Sequence, residues 1–176
     1  MALIKRYQEG YVRGFFPVRS PDGTRAHLKI PKCGTNTVRY VLCTGAGWQP
    51  YGRNSPGLLD TKLDWTALIR HPVERWISGV AQMYDQRAVK LDPDRAVATM
   101  VHDTHTTPQA PWLHGFAPKT FKLENIHKLW SHIGITAYVH VHVQKRKWSV
   151  FDLEPRHEKQ IMDYYADDMI LYDNAE

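Results

Sequence analysis

Two short stretches of this chain carry residue types suited to gripping an anion. The first is HLKIPKCGTNTVRYVL, residues 27–42. An apolar run leads into a turn containing Pro31, Lys32 and Gly34, and a helical pattern then opens on Thr35, Asn36 and Thr37. A helix start offers unpaired backbone N–H groups and a partial positive charge. Gly34 lets the backbone approach an anion closely. Lys32 adds a full charge, and the three polar side chains add donors. Phosphate and sulfate both call for such a set. The spacing is not that of a Walker A loop, since GxxxxGK[ST] does not occur. A turn that only caps a helix would use the same residues.

The second stretch, RHPVERWIS, follows the apolar run WTALI at 65–69. Arg70 closes that run, and Ser78 lies eight residues later. Val73, Trp76, Ile77, Val80, Met83 and Tyr84 recur at helical steps, and Ser78 falls off this stripe. Arginine gives a two-pronged, permanently charged grip on phosphate, to which a serine hydroxyl adds one donor. Without a ligand, the same residues would read as an Arg70–Glu74 surface pair and a solvent-facing serine. Taken together, two anion sites about forty residues apart at neighbouring strand ends suit one ligand with two separated phosphate-like groups.

The elements that must position these residues alternate. Strands are predicted at 26–30, 65–69, 120–124 and 135–143. Helices are predicted from about Asn36 to Leu42, from Pro72 through the stripe above, and after Asp92 with Pro93 in the first turn. Further helices are predicted at Ile126–Ile133, closed by Gly134, and over roughly 155–168. SPDG at 20–23 reads as a turn, and 44–63 and 102–118 as loops. This alternation predicts a single α/β domain over residues 1–176 with a central, mainly parallel sheet. Ligands of such sheets sit at the carboxyl ends of the strands, where both stretches fall.

Composition sets the outer bounds. The 176 residues contain 43% hydrophobic and 23% charged types, which suits one folded domain. A net charge of +5 favours an anionic partner without naming it. Cys33 and Cys43 form no metal-ligand spacing and are expected to be reduced thiols. The first residues, MALIKRYQEGYVRGFF, hold no apolar run long enough for a signal peptide or membrane span. A cytoplasmic protein without a membrane partner is therefore expected.

On these residues the chain resembles the sulfotransferases. IPKCGTNTVRYVL is similar to their 5′-phosphosulfate loop, written around PKxGTT or PKTGGT. ALIRHPVERWISGVAQMY is similar to their 3′-phosphate segment, an RxPxxRxxS pattern after a strand. FKLENIHKLWSHIG and YYADDMILY resemble later parts of the carbohydrate sulfotransferases, so the likeness spans roughly residues 25–172. It implies a P-loop-like three-layer sandwich and a transferase using 3′-phosphoadenosine-5′-phosphosulfate (PAPS), with 3′-phosphoadenosine-5′-phosphate (PAP) as the product. Lys32, Cys33, Gly34, Thr35, Asn36 and Thr37 would bind the 5′ end of this cofactor, and Arg70 and Ser78 its 3′-phosphate. Asn36 stands where many relatives carry Thr or Ser. The implied acceptor is a hydroxyl, with a carbohydrate favoured and no nucleic acid expected.

In such a reaction Lys32 would stabilise the leaving phosphate, and a base would take the acceptor proton. His105, in HDTHTTPQAPWL, is the first choice and His102 the second; related carbohydrate enzymes also place a histidine before Pro-Gln here. Histidine titrates near neutrality, although ten histidines compete for the role. His140 and His142 share a strand face without an evident third ligand, so no metal is predicted. HVHVQKRKW resembles the family's HxNxS stretch, with His142 in place of Asn, and Lys145, Arg146 and Lys147 would add charge near the ligand. Trp65, Trp76 and Trp130 read as core, while Trp112 and Trp148 read as loop residues able to line an acceptor cleft. The helix start and Lys32 would lower the Cys33 thiol pKa. Two other readings stay open: a nucleotide-dependent phosphotransferase needing Mg²⁺, and a non-catalytic polyanion- or RNA-binding protein.

Overall fold

Ser20–Gly23 reverses the chain, with Gly23 N–H donating to the Ser20 carbonyl at 3.0 Å and the Asp22 carboxylate accepting from Thr24 N–H at 3.0 Å. The turn joins β1 (Val18–Arg19) to β2 (Arg25–Leu28) as an antiparallel pair, and β3 (Gln49–Pro50) joins β1 antiparallel on its other side. Beyond β2 the sheet is parallel. β4 (Asp64–Ile69) pairs with β2, and β5 (Lys119–Lys122) pairs with β4, giving the order β3-β1-β2-β4-β5. This computed structural model describes residues 16–51, 60, 62–87, 92–100, 104–136 and 153–176, with backbone alone for 83–87.

The fold class is therefore α/β, but the sheet is mixed rather than mainly parallel. The N-terminal hairpin and β3 add two antiparallel pairings beside the parallel β2–β4–β5 core. Seven α-helices are described: α1 (Thr35–Val38), α2 (Pro72–Arg87), α3 (Pro93–Thr99), α4 (Ala110–Leu113), α5 (Ile126–His132), α6 (Pro155–Tyr164) and α7 (Ala166–Asp173). The chain leaves α1 through a wider π-helical stretch, Arg39–Gly45, instead of ending at Leu42. The expected helix at 155–168 is two helices, broken at Tyr165, whose hydroxyl turns inward to donate to the Thr106 carbonyl at 2.5 Å. Asp92 caps α3, its carboxylate accepting from Asp94 N–H at 3.2 Å, and Pro93 opens the helix as expected. Of the strand expected at 135–143, residues 137–143 lie outside the described residues, as do His102, His140, His142, Lys145–Lys147 and Trp148.

Trp65 to Ile69 are all buried, so β4 is covered on both faces. One apolar cluster joins the sheet to α1 and α5 through Leu28, Val38, Leu42, Leu68, Phe121 and Leu129. A second joins α2, α3 and α6 through Val73, Trp76, Val80, Val97 and Ile161. Trp112 belongs to the first cluster at 6% exposure and so does not line a cleft as the sequence suggested; the short helix α4 turns it inward. No described helix is long and apolar enough to cross a membrane.

Between the two strands that carry the anion-gripping turns, His27 Nδ1 lies 2.9 Å from Thr66 Oγ1. Burial pushes this imidazole down to about 3, with repulsion from Lys29 adding to the effect. The unfolded chain therefore takes up a proton at 27 before the folded chain does, as pH falls below about 6.5. Stability contributed by the neutral ring is present above that pH. It is expected to decline by about 1.4 kcal/mol per pH unit between about 6.5 and 3. Denaturant melts across this range should show that slope, and His27→Leu should remove it.

Candidate functional site: two strand tips on one edge

Because β2 and β4 are adjacent and parallel, their carboxyl ends open on the same edge of the sheet. The turn at 31–34 leaves one and Arg70 leaves the other. In the first turn Lys32 has φ 66° and Gly34 φ 74°. A lysine in this left-handed region costs about 1 kcal/mol or more, so its neighbours must hold it there. Arg75 Nε donates to the Pro31 carbonyl at 3.0 Å, Cys33 N–H to the Ile30 carbonyl at 3.2 Å, and Thr35 Oγ1 to that same carbonyl at 2.9 Å. A Cβ on Gly34 would lie 2.7 Å from Leu123 Cδ1, so glycine also lets the turn sit tightly against the segment after β5.

The Lys32 amine crosses to α2 and donates to Gln82 Oε1 at 2.9 Å. Gln82 follows Ser78 by four residues, one helical turn, so the lysine of the first turn reaches the helix that carries the serine of the second. Burial, followed by repulsion from Arg70 and Arg75, holds this amine below the ordinary lysine value. The two turns thus feel each other's charge. Arg70 forms an ion pair with Glu74 at 3.1 Å, one turn along α2, as the ligand-free interpretation of the sequence expects. Exposed pairs of this kind contribute only about 0.3–0.5 kcal/mol, so a phosphate dianion can displace the carboxylate. Ser78 is half-buried.

The other residues of the first turn divide in two. Asn36 is exposed, Thr37 is buried, and Thr35 spends its hydroxyl proton on Ile30. Cys33 is buried and points its thiol inward, donating to Gln109 Oε1 at 3.0 Å. The sequence suggested a lowered thiol pKa; instead burial pushes it up to about 11, outweighing Arg75 and Arg70. Iodoacetamide near neutral pH should therefore label Cys33 at least about ten-fold more slowly in the folded protein than in denatured chain. Labelling at equal rates, read by mass spectrometry, would contradict this burial.

Beneath both turns lies a polar girder that the sequence did not reveal. Gln109 is fully buried, and its Oε1 accepts from Arg70 N–H at 2.9 Å while its Nε2 donates to the Arg70 carbonyl at 2.8 Å. Its own N–H is held by both oxygens of Asp168, at 2.8 and 2.7 Å, and Ala110 N–H reaches Asp168 Oδ1 at 2.7 Å. Burial pushes the Asp168 carboxyl up, against these N–H groups and the charge of Arg75, which favour its ionised form.

His105 is half-buried, at the start of the segment leading to Gln109. A Cβ on Gly79 would lie 2.7 Å from the His105 carbonyl oxygen, so glycine at 79 allows this segment to lie directly on α2, one residue beyond Ser78. The structure therefore brings Lys32, Gln82, Ser78 and the His105 backbone onto one helix. No group of three or more His, Cys, Asp or Glu among the described residues could hold a metal ion. Arg75, Gln82, Gln109 and Asp168 are the site residues that sequence reasoning missed. Arg75 left a signal as the second arginine of RxPxxRxxS, Gln109 as the glutamine of the Pro-Gln that follows His105, and Asp168 within YYADDMILY; Gln82 left none. No protein-family model matches the chain, and no curated protein or solved structure shows significant similarity to it.

Proposed function

We propose that this chain is a PAPS-dependent sulfotransferase that moves a sulfuryl group to an acceptor hydroxyl, with a carbohydrate favoured as acceptor, on a P-loop-like sandwich. One observation carries the reading: adjacent parallel strands end in turns whose cations, Lys32 and Arg70, lie close enough to repel each other. With Arg75 they make three cations at one sheet edge, balanced by an exposed Glu74 and a buried Asp168. Such a cluster is completed by an anion, and two turns suit an anion charged at both ends.

Bound PAPS supplies an activated sulfuryl group on its 5′-phosphate. Lys32 binds that end and balances the charge building on the oxygens around the breaking S–O bond. The turn at 34–36 orients it, and Arg70 and Ser78 fix the 3′-phosphate. His105 takes the proton from the acceptor hydroxyl as its oxygen bonds to sulfur. Positioning and charge balance do most of the work, as in phosphoryl transfer.

Calorimetric titration with PAP tests the reading. Saturable binding is expected for the wild type, weakened in both Lys32→Ala and Arg70→Ala. Preferred binding of ATP with Mg²⁺ would favour a phosphotransferase. Binding that is indifferent to PAP but retained on RNA, and falling steeply with salt, would favour a polyanion-binding protein.

A further inference from the structure

We propose that Gln109 is a positioning residue that fixes the spacing between the two anion-binding turns, so that they meet one doubly charged ligand as a single rigid site. This rests on the sulfotransferase reading above. Arg70 lies one residue past the last β4–β5 register pair, Ile69 with Lys122, so its N–H and carbonyl need partners outside that ladder. Both are supplied by one side-chain amide, at 2.9 and 2.8 Å. The same Oε1 accepts from the Cys33 thiol at 3.0 Å. Gln109 therefore touches the first turn and the second strand tip at once.

The amide is itself held in place. Gln109 is 0% exposed, and Asp168 on α7 grips its backbone N–H with both carboxylate oxygens. A glutamate lacks the Nε2 donor, and an apolar side chain lacks every bond; only an amide of this length both donates and accepts here. Its polar atoms are all turned toward protein, and its effect on ligand passes through the turns. A ligand gripped at two ends gains most when the spacing of the grips is set in advance, because no ordering remains to be done on binding. Gln109 is placed to set that spacing.

The test compares PAP with its two halves, adenosine 5′-monophosphate and adenosine 3′-monophosphate, by calorimetry on the full chain. The wild type should bind PAP more tightly than either half. Gln109→Met should weaken PAP by about 10–100-fold and each monophosphate by less than about 3-fold, because each turn survives while their spacing loosens. Cys33→Ala cuts only the link to the first turn and should shift the ratio in the same direction. Cys33→Ser, whose hydroxyl still donates to Oε1, should restore it. Equal weakening of all three ligands, or unchanged PAP affinity in Gln109→Met, would overturn the coupling while leaving the sulfotransferase reading in place. If Gln109→Met fails to fold, the Cys33 pair decides by the same ratio. A wild type that binds none of the three ligands removes both readings.

Discussion

Lys32→Ala is expected to lower sulfuryl transfer by about 10²–10³-fold, the loss typical of removing one preorganised donor from a developing anion. Lys32 is held in a left-handed turn, its amine is partly buried, and Arg70 and Arg75 repel it. Burial and the two arginines make the cation costly until an anion arrives. The amine rests on Gln82, a neutral acceptor, which it can leave more easily than a carboxylate. The pH profile should carry the same signature. Because the amine titrates below the ordinary 10.5, it is charged and grips the anion at lower pH. PAP affinity should then fall as pH rises through this depressed value, sooner than for an exposed lysine. Lys32→Arg, charged at every accessible pH, should flatten that limb, read by calorimetry across alkaline buffers. Turnover unchanged in Lys32→Ala would remove the lysine from the chemistry.

His105→Ala is expected to cost about 10²–10⁴-fold in turnover, the usual contribution of a general base. PAP affinity should change little, because the loop is pinned through its backbone. The His105 carbonyl lies against Gly79, and the Thr106 carbonyl accepts from the Tyr165 hydroxyl. Removing an imidazole leaves both contacts in place. Single-turnover assays with labelled PAPS separate the two effects. Full turnover in this variant would pass the role to another group.

Local patterns in the chain were the legible ones. β4 and α2 were plain because a buried apolar run and a helical stripe adjoin within one stretch, and the two turns were found because they directly follow strands. β1 and β3 have two residues each, too few to show alternation, so the mixed character of the sheet stayed hidden. The break at Tyr165 follows from its reach to Thr106, 59 positions away. Gln82, Gln109 and Asp168 matter through partners 50, 76 and 59 positions distant, and no local spacing encodes such pairs. Cys33 departs from its local pattern for the same reason: its sequence neighbours favour the thiolate, while tertiary burial, which favours the thiol, is stronger.

A crystal structure with PAP bound measures the central claim most directly. The 5′-phosphate is expected over the turn from Lys32 to Asn36 and the 3′-phosphate against Arg70 and Ser78, with Glu74 displaced from Arg70. PAP held by one turn alone, or bound away from the shared edge of β2 and β4, would contradict it.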